Sequence, residues 1–151
     1  MKILRIQGKN LASIAGEFDI DFTAAPLRSA GIFAICGPTG AGKSTILDAI
    51  CLALFNNMPR TTGIEGTKMP DVGQEFIQQG DRRQILRRGT AEAMAAVEFI
   101  AVDGKSYRSV WRVWRANNKI SGKLQPAELR VYPLGDPSPI TTGISESENK
   151  L

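Results

Sequence analysis

The stretch from Ile32 to Phe55 constrains the fold more than any other part of the chain. Ile32-Phe33-Ala34-Ile35-Cys36 is continuously apolar, as a central strand covered on both faces requires. It runs directly into Gly37-Pro38-Thr39-Gly40-Ala41-Gly42-Lys43-Ser44, after which Ile46, Leu47, Ile50 and Leu54 recur at the offsets of one apolar helix face. Strand, glycine turn and helix in that order predict an α/β architecture in which the helix opens at the loop. The eight loop residues fit G-x-x-x-x-G-K-[ST] in the context where that pattern has a mechanism. Glycines at 37, 40 and 42 carry no Cβ, so successive backbone N–H groups can turn inward around an anion. The helix N-terminus adds its unpaired N–H groups and its dipole, and Lys43 brings a full positive charge. The spacing therefore points to a nucleoside triphosphate. Lys43 faces its β- and γ-phosphates, Ser44 offers a hydroxyl to a bridging Mg²⁺, and Thr45 adds an α-phosphate contact. Asp48, one turn beyond Ser44, has two readings: a solvated or helix-satisfied carboxylate, or a group supporting the metal's surroundings.

The flanking sequence is organised around this unit. Lys2 to Gln7 is a short apolar-rich run, and Glu17-Phe18-Asp19-Ile20-Asp21-Phe22 alternates strictly, so two strands open the chain and the second is half-exposed. From Asn56 to about Gly89 no period is sustained, and five glycines and two prolines mark a long loop or insertion. Glu92 to Val102 and Lys105 to Arg115 flank Asp103-Gly104, which predicts a β-hairpin with a two-residue turn. Ala127 to Leu134 reads as one further strand, ended by Gly135-Asp136-Pro137, and the tail Ser145 to Lys150 has nothing to bury. Trp111 and Trp114 lie three apart in a strand and so on opposite faces.

Composition removes several chemistries. The chain has 151 residues and no histidine, which excludes histidine triads, HExxH metalloprotease sites and any imidazole acid–base step within it. Cys36 and Cys51 match no zinc or redox spacing and read as buried thiols of a reducing compartment. The longest apolar-rich stretch is too short to span a bilayer, and Arg5 and Lys9 interrupt any signal-peptide core, so the expected location is the cytoplasm with no membrane partner. Residues 82 to 130 carry 11 Lys and Arg against 4 acids, whereas the remainder carries 8 against 11. That asymmetry predicts a basic surface for DNA backbone or nucleotide phosphate, or else a solvated basic hairpin whose arginine stems cover apolar surface.

Met1-Lys2-Ile3-Leu4-Arg5 leading to Lys9-Asn10-Leu11, then Phe18 to Phe22, then the glycine loop with Thr45 and Leu47-Asp48-Ala49-Ile50-Cys51-Leu52-Ala53-Leu54, form a distinctive set. With Arg88-Gly89-Thr90-Ala91-Glu92, Val97-Glu98-Phe99 and Tyr107-Arg108, this set closely resembles the start of the bacterial SbcC branch of the SMC-like DNA double-strand-break repair ATPases. The resemblance covers nearly the whole chain. It implies an α/β P-loop NTPase fold, the N-terminal lobe of an ABC/SMC-type ATPase head with an antiparallel β-hairpin-rich subdomain. Residues 1–151 would divide into 1–55 (strands, P-loop and helix), 56–91 (loop or insertion), 92–134 (hairpin and strand) and 135–151 (tail). It further implies ATP and Mg²⁺ as ligands, and as partners the C-terminal lobe of the same ATPase, a second head in a homodimer, an SbcD-like nuclease subunit and double-stranded DNA. It brings Ser13 toward the nucleotide, beside Ala12 where relatives outside bacteria often carry arginine, and Ile85, Leu86, Arg87 and Arg88 toward the base or ribose. No catalytic residue is expected in this chain, because the family's catalytic glutamate and signature serine belong to segments it does not contain. Glu65, Asp71, Glu75 and Asp81 lie in the aperiodic stretch, with no rigid element to hold a base near the phosphate. Two other readings stay open on the residues alone, a small P-loop kinase or GTPase and a non-catalytic DNA-binding module.

Overall fold

The structure is a computed structural model that describes residues 1–140 apart from 62 and 65; the tail from Ser145 to Lys150 lies outside the described residues. Strands β1 (Lys2–Leu11), β2 (Ile14–Asp21), β5 (Glu92–Ile100), β6 (Ser106–Trp114) and β7 (Glu128–Pro133) form one antiparallel sheet in the order β2-β1-β5-β6-β7. The helix α1 (Lys43–Phe55) packs on β5, β1 and β6. Alternation along the strands sends Ala93, Ala95, Val97 and Phe99 of β5, and Ser109, Trp111 and Val113 of β6, to the helix side, where all are buried.

The helix meets the sheet through a face rotated from the one its periodicity suggests, and the two share Leu54. Thr45, Asp48, Ala49, Leu52, Ala53 and Leu54 are buried and Ile50 packs against the core, whereas Leu47 of the expected face is 56% exposed. The helix is apolar nearly all round, so period alone does not choose the side; the small Ala49 and Ala53 permit the closest approach to a pleated surface. Two polar contacts pin this interface. The Ser109 hydroxyl donates to the Ala53 carbonyl, and the Trp111 Nε1–H donates to the Asn56 Oδ1 at 3.0 Å in a buried setting. Asn56 also ends the helix in a left-handed conformation, φ 50°, with its N–H on the Leu52 carbonyl.

Residues 32–36 depart from expectation. They form no strand among the described residues, and Ile32 is 93% and Phe33 50% exposed, with Cys36 exposed as well. A strand needs a partner, and both edges of β1 are already occupied by β2 and β5. The expected buried thiol pair is likewise corrected: Cys51 is only half-buried, and burial raises its thiol pKa, with a smaller push from Asp48. The hairpin between β5 and β6 forms, but its loop is Val102-Asp103-Gly104. Ala101 N–H donates to Lys105 O, Gly104 N–H donates to Ala101 O, and Gly104 alone of the three takes positive φ, as a type I turn followed by a left-handed residue requires.

The aperiodic stretch is more ordered than its composition suggests. It contains short 3-10 turns at Pro59–Thr61 and Arg82–Ile85 and a small antiparallel pair, β3 (Lys68–Pro70) with β4 (Phe76–Gln78). Buried Arg115 at the end of β6 anchors this pair, donating from both terminal nitrogens to Asp71 at 2.9 and 2.6 Å and to the Gly122 carbonyl at 3.1 Å.

The outer face of the sheet answers the question of the basic segment. Asp21, Arg5, Glu98 and Arg108 stand directly opposite one another across four strands, alternating in sign. Arg5 reaches Asp21 at 2.8 Å, Lys9 reaches Glu92 at 2.9 Å, Arg112 reaches Glu92 at 3.7 Å and Arg130 reaches Glu128 at 3.0 Å. Each exposed pair contributes little stability. Together they set an acid beside each of these bases, so the sheet face is not a basic patch; the acids that meet the basic segment from outside it are Asp81 on Arg83, Asp71 on Arg115 and Glu75 on Lys123.

Two outcomes follow. Asn56→Ala leaves the buried Trp111 N–H without its acceptor in a position that disfavours a Cβ, and should cost about 1–3 kcal/mol in urea unfolding, with Asn56→Gly costing less because it relieves the backbone. Asp71 is held below its ordinary 3.8, chiefly by its hydrogen bonds from Arg115. A depressed carboxyl contributes stability that is present above the unfolded value and lost as pH falls through the folded one. Stability should therefore drop on acidification below about pH 4, and Asp71→Asn should lower it at neutral pH while flattening that acid limb.

Candidate functional site

The glycine loop lies at the N-terminus of α1. Gly42 is the helix N-cap with φ 92° and ψ 10°, and the first intrahelical bond runs from the Ile46 N–H to the Gly42 carbonyl at 3.1 Å. The amides of Lys43, Ser44 and Thr45 precede that bond and have no acceptor within the helix. Residues 37–41 are exposed, as is Ser44, while the Thr45 side chain is buried against the sheet. Any ligand contact by Thr45 thus falls to its N–H. The Lys43 Nζ donates to the carbonyls of Gly37 and Pro38 at 2.7 and 2.8 Å, so its ammonium closes over the loop.

The turn between β1 and β2 abuts this loop. A Cβ on Gly42 would lie 2.6 Å from Ile14 Cγ1 and 3.3 Å from the Ser13 hydroxyl, so only glycine fits there. Ser13 therefore stands beside the loop. The segment from Ile85 to Arg88 is tied to the same turn. Ala12 N–H donates to Ile85 O at 2.7 Å, Arg87 N–H donates to Asn10 O at 3.0 Å, and the Arg87 guanidinium donates to the carbonyls of Ala12 and Ser13, both at 2.9 Å. Ile85 and Leu86 are buried in the core, so of these four residues only Arg87 and Arg88 present side chains outside it.

Sequence reasoning missed the turn's scaffold. Asn10 adopts φ 52°, its Oδ1 accepts from the Gly16 N–H at 3.0 Å, and its Nδ2 donates to the Glu92 carbonyl at 3.2 Å. The available signal was an asparagine just ahead of a chain reversal, the residue type that best tolerates that backbone after glycine. Asp48 resolves as a buried group: Arg60 Nη2 lies 2.6 Å from its carboxylate, and burial pushes its pKa up while Arg60 opposes the shift.

The residues fit a triphosphate with Mg²⁺. Among the described residues no cluster of three acids, cysteines or histidines could hold a metal by itself, so an ion here would rely on the exposed Ser44 hydroxyl and on phosphate oxygens. The acids of the 56–91 stretch are otherwise engaged: Asp71 with Arg115, Asp81 with Arg83 at 2.6 Å, and Glu75 with Lys123 at 3.2 Å. Glu65 lies outside the described residues.

Comparison with known proteins agrees with this geometry. The family described as AAA domain matches residues 5–137. The chain is 53% identical over 135 residues to the SbcC subunit of the SbcCD nuclease of Pseudomonas aeruginosa, covering 89% of this chain and 11% of that protein. It is 53% identical over 126 residues to the SbcC subunit of Rhodobacter capsulatus, covering 83% of this chain and 10% of that protein. It is 33% identical over 135 residues to the Probable DNA double-strand break repair Rad50 ATPase of Aquifex aeolicus, covering 89% of this chain and 11% of that protein. The chain thus spans about a tenth of the length of these relatives. No helix among its described residues is long and apolar enough to cross a membrane. With its glycine loop at the head of α1 and the family's match running from the first strand to beyond the last, the chain belongs to the AAA domain ATPases, in the branch represented by the SbcC subunit of the SbcCD nuclease.

Proposed function

We propose that this chain is the N-terminal lobe of an ABC/SMC-type ATPase head, binding ATP with Mg²⁺ at Gly37 to Thr45. The observation that carries the reading is the loop itself: free helix-terminal amides, an N-cap where only glycine fits, and Lys43 folded over the rim. Gly37, Pro38, Thr39, Gly40, Ala41 and Gly42 would wrap the β-phosphate. Lys43 would face the β- and γ-phosphates, Thr45 would give its N–H, and the Ser44 hydroxyl would hold Mg²⁺. Mg²⁺, when bound, supplies charge that offsets the phosphate oxygens. Ser13 and the exposed Arg88 at the end of the 85–88 segment would line the side of the ligand away from the helix, with Arg87 bonded to the turn behind them.

A second lobe of the same ATPase accounts for the uncovered apolar surface. Ile32 to Cys36 joins no sheet among the described residues, its Phe33 ring resting on Phe22, and Leu47, half-buried Cys51 and 58%-exposed Phe55 form a stripe at helical spacing on the open side of α1. Strands from a C-terminal lobe laid beside residues 32–36 would complete a sheet there and bury that stripe. Hydrolysis would then draw its remaining groups from that lobe and from a second head, because one lysine and one metal contact leave the attacking water without a positioning group. In the complete assembly we place an SbcD-like nuclease subunit and double-stranded DNA as partners, following the names of the relatives. The ion-paired arginines of the sheet's outer face are not offered for DNA contact.

Calorimetric titration of the full chain tests the site. ATP·Mg²⁺ should bind, Lys43→Ala should abolish that binding, and neither GTP nor a DNA duplex should match it. Unchanged ATP affinity in Lys43→Ala would overturn the reading; preferred GTP binding would favour a GTPase, and duplex binding without nucleotide binding a DNA module.

A further inference from the structure

We propose that Arg87 is a positioning residue of the nucleotide site, locking the turn between β1 and β2 so that this turn holds Gly42 at the helix N-cap. The inference rests on the phosphate-loop reading above. The turn needs a lock. Asn10 at φ 52° and Ala12 at φ 45° both occupy the left-handed region, which costs free energy for residues bearing a Cβ and persists only where the surroundings enforce it. The Arg87 Nη1 group spends its two N–H bonds on the adjacent carbonyls of Ala12 and Ser13, both at 2.9 Å. These are charge-assisted bonds, and among the described residues Arg87 makes no ion pair that competes for them.

Arg87 is itself held firmly. Its N–H bonds the Asn10 carbonyl, and its own carbonyl accepts from the Thr90 N–H at 3.2 Å and the Thr90 hydroxyl at 2.7 Å. The locked turn then delivers Ile14 and Ser13 against Gly42, with no room for even one added carbon. The path from guanidinium to N-cap therefore crosses only two contacts, carbonyl to Nη1 and Ile14 to Gly42. Through these Nη1 bonds Arg87 sets the position of the turn and with it the position of the loop. Arg88, its exposed neighbour, has no comparable anchor among the described residues.

The test compares Arg87→Ala with Arg87→Lys and with Arg112→Ala, an outer-face control, in the full chain. Without ligand, amide hydrogen exchange in Arg87→Ala should quicken about tenfold at Ala12, which bonds Ile85, and at Ile46, which bonds Gly42, and stay unchanged along β5 and β6. ATP·Mg²⁺ affinity should fall about tenfold, the scale of one charge-assisted hydrogen bond, with partial recovery in Arg87→Lys. Wild-type exchange at Ala12 and Ile46, or quickened exchange spread equally over β5 and β6, would overturn the proposal, as would undiminished affinity in Arg87→Ala. Should Arg87→Ala fail to fold, Arg87→Gln, which keeps an N–H₂ donor without the charge, carries the same comparison. If the wild-type chain binds no ATP, the phosphate-loop reading fails, and the ligand-free exchange still decides whether the lock exists.

Discussion

The close seat of α1 on the antiparallel sheet is the contact on which the rest depends. Ala49 and Ala53 let the helix axis approach β5, and the Ser109 and Trp111 contacts at the C-terminal half prevent it from sliding. With that end fixed, the N-terminus of the helix falls against the turn between β1 and β2, where Ile14 and Ser13 meet Gly42. A phosphate loop is only as well placed as the helix behind it. Here the helix is held by burial along its length, by polar contacts at its C-terminal end and by the packing of Ile14 against Gly42 at its N-terminal end.

The same arrangement leaves one side of the helix without a cover. An apolar helix with a buried face and an exposed apolar stripe is half of a three-layer packing, and the exposed segment 32–36 is a strand sequence without a sheet among the described residues. Electrostatics follow the opposite logic. The outer face of the sheet is closed off by alternating acids and bases, satisfied within the sheet and therefore poor material for attracting a polyanion. Surface that seeks a partner and surface that does not are thus segregated to the two sides of one sheet–helix layer.

Much of this was legible in the residues, for physical reasons that differ between elements. The glycine loop was legible because phosphate binding demands particular residue types at particular spacings. The hairpin and the half-exposed second strand were legible because alternation reports a sheet with one wet face; that alternation puts Trp111 and Trp114 on opposite faces, and the fold buries Trp111. The strand at 32–36 was misread because an apolar run reports a requirement for burial and is silent on what supplies the partner strand. The buried face of α1 was hidden by the helix being apolar all round. Charge summed along the basic segment is silent on partners that folding brings to it, such as Asp71, Asp81 and Glu75 of the 56–91 stretch. Asn10 was illegible because its side chain bonds backbone groups, which any residue can present; the resemblance brought Arg87 to the site, and its bonds to the Ala12 and Ser13 carbonyls were hidden for the same reason.

The central claim is that this lobe carries the nucleotide-binding half of an ATPase site and not the whole of it. Steady-state phosphate release by the purified full chain tests that most directly, run beside Lys43→Ala as a contamination control. The account predicts no release above the level of the mutant, in a preparation that binds ATP. Turnover at the rate of ordinary ATPases, on the order of one per second or faster and lost in Lys43→Ala, would contradict it by showing a complete catalytic site within this chain.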